Sequence, residues 1–468
     1  MKVEQLYTQC LAEAAYFIES NGEAAVIDPL REAAPYLELE KQYNTKIKYI
    51  FETHFHADFV SGHVELAAKT GATIIYGPTA QPEFEAYIAR DEEVFQIGKA
   101  QIKLMHTPGH TLESSTYLLI DEEGNDSAIF TGDTLFLGDV GRPDLAVKSD
   151  LSKEDLAGLL YDSLHKKIMP LADNITVYPG HGKGSACGKS MSDATIDSLG
   201  SQKQFNYALR KDLTKDEFIR EVTADLVAPP QYFPKNAQLN KKGIGMLDDV
   251  LERGARALSP VEFSGVKDYE QALVLDTRSK EAFTEAHIPG ALFIGLNTGF
   301  APWVGTLIKD LNQPILIVSE PGREEEVVTR LARVGYDNSL GYLSGGMVAW
   351  EEAGLPVSSV AQVLPEDFAD IADSGARLLD VRKESEYDSQ HVVGARNFPL
   401  DFIHEHIHEL DPEQHYYIHC AGGYRSVIAA SIMLAAGFSH VVDIQSGFSG
   451  LKNTNLVITA YTEPVSLL

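Results

Sequence analysis

The chain repeats itself in its second half. LVLDTRSKEAFTEAHIPGA (Leu273 to Ala291) recurs as LLDVRKESEYDSQHVVGA (Leu378 to Ala395). Asp276 and Asp380, His287 and His391, and Gly290 and Gly394 are each 104 positions apart. A unit of roughly 100 residues that recurs must fold twice in one way, which constrains the architecture more than any single motif does. Within each copy, short Ile, Val and Leu runs (Ile315 to Val318, Tyr416 to His419) alternate with helical patterns (Glu324 to Arg333, Ser426 to Ala436). That alternation predicts a parallel sheet covered by helices. Leu355 to Leu364, with Pro356, Ser358 and Ser359, reads as a linker between the copies, and Arg253 to Pro260 as the linker before them.

The first half is built differently. Apolar strands run repeatedly into a ligand-type residue: IKYIFETH ends at His54, QIKLMHTPGH at His110, AIFTGD at Asp133 and ITVYPGH at His181. Such residues on glycine-bearing loops at strand ends predict a site along one sheet edge. Imidazoles and carboxylates are ligands for first-row metals, and this set contains no thiolate.

His-x-His-x-Asp (His54, His56, Asp58), followed by Pro-Gly-His-Thr, Thr-Gly-Asp and Pro-Gly-His-Gly, resembles the metallo-β-lactamase superfamily across Met1 to Leu247. The superfamily's dinuclear hydrolases carry a second His directly after the motif aspartate; here that residue is Phe59, which cannot ligate, and a mononuclear site is expected. THFHADFVSGH is most similar to the persulfide dioxygenases, which use iron. That resemblance implies one Fe(II) per chain on His54, His110 and Asp133. A 2-His-1-carboxylate set leaves open positions for O2 and a substrate sulfur. His56, Asp58 and His181 would orient ligands or waters around it. A zinc hydrolase is the competing reading.

Arg142 and Asp144, in GDVGRPDL, match positions that line the substrate pocket in the resembling family, where a guanidinium suits an anionic persulfide. The alternative is an arginine bracing its own loop through Asp144. Cys187 lies in HGKGSACGK between Lys183 and Lys189, which can favour a thiolate, so it is a candidate carrier of a transient persulfide; a small buried cysteine is the other reading.

In the last copy the strand YYIH runs into Cys420-Ala421-Gly422-Gly423-Tyr424-Arg425 and then a helix. A loop closing onto a helix N-terminus turns backbone N–H groups inward as an anion cradle, and Gly422, Gly423 and Tyr424 would line it. The helix dipole and Arg425 favour a nucleophilic thiolate at Cys420. With the flanking DVR and HVVGA segments, this resembles a rhodanese sulfurtransferase. In the other copy, Ser319-Glu320-Pro321-Gly322-Arg323 follows the strand; the loop reads as one residue shorter and holds no cysteine, so this copy resembles an inactive rhodanese homology domain. His404, His406 and His408 alternate among glutamates and read as a solvated face.

The domain order resembles the CstB-type persulfide dioxygenase–rhodanese fusions. It implies an α/β multidomain fold: an N-terminal metallo-β-lactamase αββα sandwich (residues 1–252), an inactive rhodanese homology domain (260–358) and an active rhodanese domain (363–460), the last two with parallel sheets. The implied chemistry is oxidation of low-molecular-weight thiol persulfides by O2 to sulfite, coupled to sulfur transfer from Cys420 to sulfite, giving thiosulfate. Two alternatives stay open: a zinc glyoxalase II-type thioesterase fused to a rhodanese, and a non-catalytic persulfide carrier or sensor. Related enzymes form dimers or tetramers, and a homo-oligomer is expected.

Composition narrows the partners. Against 68 Asp+Glu stand 39 Lys+Arg, a net charge of -29, which repels phosphate backbones and anionic lipid alike, so neither nucleic acid nor membrane is expected as a partner. Three scattered cysteines (Cys10, Cys187, Cys420) cannot form a disulfide framework and fit a reducing, cytoplasmic setting. Met1 to Glu13 lacks an apolar core, so no signal peptide is expected, and no uncharged apolar run is long enough to span a bilayer.

Overall fold

The computed structural model describes residues 1–146, 151–189, 191–224, 226, 229–297, 299–372 and 375–462. The chain divides into two compact units, Met1–Leu247 together with Ala332–Gly335, and Asp248–Leu331 together with the chain from Tyr336 onward.

The first unit holds two six-stranded sheets. One runs in the order Lys2–Thr8, Glu13–Ser20, Glu23–Ile27, Lys46–Phe51, Thr73–Tyr76, Tyr87–Ile88; the other Asp197–Ser198, Thr176–Pro179, Asp126–Gly132, Ser115–Ile120, Ala100–His106, Val94–Ile97. Side chains alternate across a strand, so each strand serves two layers. Tyr16 and Ile18 point into the core shared with Leu104, Tyr117, Leu119 and Phe130 of the second sheet. Ala15 and Phe17 point the other way, onto Tyr36 and Leu66 of the helices Ala34–Gln42 and His63–Thr70. On the far side Leu118 and Ile129 pack under Ala157, Leu160 and Phe218 of the helices Lys153–Ser163 and Lys215–Thr223. The result is the expected αββα sandwich. The strands before His54, Asp133 and His181 end on one edge of it, and His110 follows four residues beyond the strand Ala100–His106.

The second unit holds two five-stranded sheets with every strand pair parallel. Their orders correspond strand for strand: Ala257–Leu258, Ser339–Leu343, Ile315–Val318, Leu273–Asp276, Leu292–Phe293, and Ala361–Val363, Val441–Ile444, Tyr416–His419, Arg377–Asp380, Arg396–Asn397. Both presumed linkers need correction. Arg253 to Pro260 contains the end of the helix Leu247–Gly254 and the strand Ala257–Leu258, while Leu355 to Leu364 contains Ala361–Val363. Each is the edge strand of its copy. Such two- and three-residue strands are too short to show an alternating pattern, which is why composition alone reads them as linker.

The loop after the third strand also departs from expectation. Residues 319–323 separate Val318 from the helix Glu324–Ala332, and residues 420–424 separate His419 from the helix Arg425–Ala435. The two loops are equally long. Ser319 stands where Cys420 stands, and Glu324 where Arg425 does. Gly322 (φ +83°) and Gly423 (φ +86°) occupy the same left-handed position, which glycine adopts without the Cβ penalty. The length difference between the copies lies upstream, between the strands ending at Phe293 and Asn397 and those starting at Ile315 and Tyr416.

Candidate metal centre and cysteine cradle

In the sandwich the structure brings His54, His110 and Asp133 together, all buried, with one ligand atom from each within 4.8 Å of the others. His110 Nε2 lies 3.4 Å and His54 Nε2 4.0 Å from Asp133 Oδ2, and His181 Nε2 lies 3.6 Å from Oδ1. The far nitrogens explain why these three rings face inward. His110 Nδ1 is 2.9 Å from the Arg142 carbonyl and His181 Nδ1 3.2 Å from the Ala12 carbonyl; a carbonyl only accepts, so each Nδ1 donates and the neutral ring keeps its lone pair on Nε2. For His54 a relay does the same work. Thr53 Oγ1 donates to Asp28 Oδ2 at 2.8 Å, so it accepts from His54 Nδ1 at 2.9 Å. Burial, reinforced by the neighbouring imidazoles, holds the His54 pKa well below the usual histidine range and keeps that ring neutral.

Among the described residues neither Asp133 oxygen receives a hydrogen bond from a nitrogen or oxygen donor, although both are buried. An orphaned buried carboxylate costs far more than a paired one, so Asp133 facing three imidazole lone pairs is a donor set that fits a cation. The glycines of the motifs make room for it. A Cβ on Gly180 would meet Asp133 Oδ1 at 2.9 Å, and one on Gly132 would meet Thr53 Oγ1 at 2.4 Å.

His56 does a different job. Its Nε2 lies 3.1 Å from Asp28 Oδ1 and 3.5 Å from Glu52 Oε2. Burial opposes its charge, but the two carboxylates prevail and push its pKa up to about 10. His56 is therefore an imidazolium that balances Asp28 and Glu52, and its ring packs on Phe59, the centroids 4.3 Å apart. Asp58 Oδ2 lies 3.4 Å from His181 Nε2. Burial raises the Asp58 pKa; His181 opposes that rise and Asp133 adds to it. His56, Asp58 and His181 form a second group whose ligand atoms lie within 4.8 Å of one another.

Sequence reading missed Asp28, Glu52 and Thr53. The signal for Asp28 was a strand, AAVID, that also ends on an acid, and Glu52 and Thr53 directly precede His54.

Two expectations change here. Arg142 donates from Nε and Nη2 to both oxygens of Asp144, at 2.7 and 2.8 Å, and from Nη1 to the Ala186 carbonyl at 3.3 Å. It braces its own loop, whose carbonyl in turn orients His110. Cys187 is buried beside the metal group, within 4.8 Å of Asp133 and His181 in its ligand atom. The lysines do not activate it: Lys183 pairs with Asp193 at 2.9 Å and Lys189 Nζ donates to the Glu221 carbonyl at 3.3 Å. Burial pushes the Cys187 thiol well above its usual range, and the Asp133 and Asp58 carboxylates push the same way.

In the second unit Cys420 is buried at the mouth of its loop. Gly423 N–H donates to its Sγ at 3.1 Å and Ser426 Oγ lies 3.6 Å away. Phe448 N–H and Ser449 N–H tie the Cys420 and Ala421 carbonyls, at 2.6 and 3.0 Å. A Cβ on Gly422 would meet nothing within 4 Å, so that wall is open. Arg425 donates to both oxygens of Glu386, at 2.6 and 2.8 Å, and its charge also reaches Cys420. Tyr424 reaches across to the cysteine-free copy, its hydroxyl donating to the Gly295 carbonyl at 3.2 Å. His404 and His406 lie on a single helical turn, Ile403–His406. His404, His406 and His408 are all exposed, as a solvated face requires; His404 Nε2 lies 3.1 Å from the Leu307 carbonyl, and His406 pairs with Glu409. Among the described residues no helix is long and apolar enough to cross a membrane.

Comparison with known proteins follows this division. Residues 9–181 match the metallo-beta-lactamase superfamily, and residues 259–353 and 364–454 each match the rhodanese-like domain. A hydroxyacylglutathione hydrolase of Pelagibacter ubique is 35% identical over 161 residues, covering 34% of this chain and 61% of the relative. The mitochondrial persulfide dioxygenase ETHE1 of Mus musculus is 28% identical over 202 residues, covering 43% of this chain and 71% of the relative. The chain spans about 60% of the length of several hydroxyacylglutathione hydrolases it matches. A crystal structure described as a metallo-beta-lactamase from Staphylococcus aureus is 29% identical with a TM-score of 0.64, covering 73% of this chain and 98% of that one. The αββα sandwich with its metal-binding edge and the two parallel-sheet copies thus identify the chain as a metallo-beta-lactamase-fold domain followed by C-terminal rhodanese-like domains.

Proposed function

We propose that this chain is a bifunctional enzyme of sulfide detoxification: a persulfide dioxygenase that uses Fe(II), joined to a thiosulfate-forming sulfurtransferase. The observation that carries the reading is the buried 2-His-1-carboxylate group of His54, His110 and Asp133, with Phe59 where a further ligand would be needed for a second ion. Those three residues would hold the iron, which when bound supplies open positions for O2 and a substrate sulfur. The overall reaction balances as RSSH + O2 + H2O → RSH + SO3²⁻ + 2H⁺. The protein's part is positional. Asp28, through Thr53, and the Arg142 and Ala12 carbonyls keep the imidazole Nε2 atoms inward, and Cys187 places a buried sulfur beside Asp133 and His181. At Cys420, sulfite attacks the outer sulfur of the Cys420 persulfide; the S–S bond breaks, its electrons return to the Cys420 thiolate, and thiosulfate leaves.

Two observations favour a second reading, a zinc thioesterase fused to a rhodanese: the hydroxyacylglutathione hydrolase relatives, and the second buried group of His56, Asp58 and His181. Metal analysis with an oxygen electrode separates the two. Iron near one equivalent and O2 uptake on adding thiol persulfides is expected. Zinc with thioester hydrolysis and no O2 uptake would overturn the dioxygenase reading, and stoichiometric persulfidation of Cys420 without turnover would make the chain a carrier.

A further inference from the structure

The Cys420 site must handle anions. A persulfide carries one negative charge and sulfite two, in a chain whose net charge is -29. The cations nearest in sequence are occupied. Arg425 is neutralised by Glu386 through two hydrogen bonds. Arg382 is neutralised by Asp380, with Nε bonds of 2.9 and 3.0 Å, while its guanidinium stacks 4.1 Å above Phe448. The cradle's own cations are therefore each shared with a carboxylate, although the Arg425 charge still reaches Cys420.

We propose that the cysteine-free copy supplies a further cation: Lys280 is an anion-recognition residue of the Cys420 site, selecting an oxyanion sulfur acceptor such as sulfite. Lys280 Nζ lies 3.4 Å from the point a Cβ on Gly423 would occupy, and Gly423 is the residue whose N–H holds the Cys420 sulfur. Among the described residues its one ion pair is with Glu281 at 3.8 Å, beyond hydrogen-bond reach, and Glu281 is largely exposed. The ammonium's field also reaches the buried Asp443, on the strand beside the one that leads to Cys420.

The seam that brings Lys280 there is built. Phe293 N–H donates to Ser431 Oγ at 3.1 Å, the Phe293 ring meets Tyr424 edge-on at 5.7 Å between centroids, and the Tyr424 hydroxyl donates to the Gly295 carbonyl. The repeat makes the contrast plain. The position equivalent to Lys280 in the cysteine-bearing copy is Glu384, which is exposed. The copy that carries Ser319 in place of a cysteine thus contributes charge to its neighbour. A lysine is a compact point charge with three rotatable donors, suited to a pyramidal oxyanion approaching a sulfur.

This inference rests on Cys420 being the sulfur-transfer nucleophile, and one experiment tests the two separately. Cys420 of the full chain is persulfidated with inorganic polysulfide, and its decay is followed in single turnover with sulfite, a dianion, or with dithiothreitol, a neutral acceptor. Lys280→Ala is expected to slow the sulfite reaction about tenfold, as loss of a charge-assisted contact does. The dithiothreitol reaction should stay within twofold, Lys280→Glu should be slower still with sulfite, and Lys280→Arg should recover most of the rate. Equal rates for wild type and Lys280→Ala with sulfite, or equal slowing with both acceptors, overturn the role of Lys280. A wild-type Cys420 that takes up no transferable sulfur overturns the sulfur-transfer reading instead.

Discussion

Arg425 is bound to Glu386, its two guanidinium nitrogens 2.6 and 2.8 Å from the carboxylate oxygens, while its charge also reaches Cys420. A cation one would assign to the nucleophile from its place in the loop is a clamp between that loop and the helix Glu384–Ser389. The Gly423 N–H is the backbone group that donates to the sulfur itself.

The clamp carries a pH signature. Burial works against the Glu386 charge, but Arg425 outweighs it and holds the carboxyl below its usual range. A depressed carboxylate contributes stability above its unfolded pKa of about 4.3 and loses it as pH falls through the folded value. Glu386→Gln should cost about 1–2 kcal/mol at pH 7, as for a half-buried pair. Urea midpoints of variant and wild type should converge in acid below about pH 4; a constant gap down to pH 3 would refute the assignment.

The Asp28–Thr53–His54 relay sets a ligand's tautomer. Thr53→Val removes the hydroxyl that accepts from His54 Nδ1 while keeping the shape. Metal affinity should fall about 10–100-fold, as when such supporting partners are lost, with sulfur transfer at Cys420 unchanged. Metal titration of both proteins checks this, and unchanged affinity contradicts it.

The two chemistries should separate by substitution. His110→Ala should remove iron and O2 uptake yet spare transfer from an added persulfide to added sulfite. Cys420→Ser should leave O2 uptake largely intact and shift the product from thiosulfate to sulfite. If Cys420→Ser abolishes O2 uptake, Cys420 belongs to the oxidation cycle.

The global field opposes anionic substrates. With 68 acidic against 39 basic residues, long-range repulsion should slow capture at low salt. kcat/KM for a persulfide should rise as ionic strength goes from about 10 to 150 mM, because screening shortens that repulsion to about a Debye length. A falling kcat/KM would show that local positive charge dominates instead.

Much of the site was legible because it is written in local spacing. His54, His110, Asp133 and His181 each follow a strand at the edge of one sandwich, and a strand's exit point is set by a few consecutive residues. The repeat likewise announced two parallel-sheet copies, since the same apolar runs must make the same sheet. Edge strands of two or three residues escaped, having no period to read.

What the sequence by itself determined was which residues arrive at the two centres and what chemistry their types allow. Only the tertiary structure decided which group each side chain faces. His56 turns to Asp28 and Glu52, Arg142 to Asp144, Arg425 to Glu386, and Lys280 crosses from one copy to the other's loop. The physical reason is that buried charge must find a partner, and the partner is whichever opposite charge packing brings close, often from a segment far away in the chain.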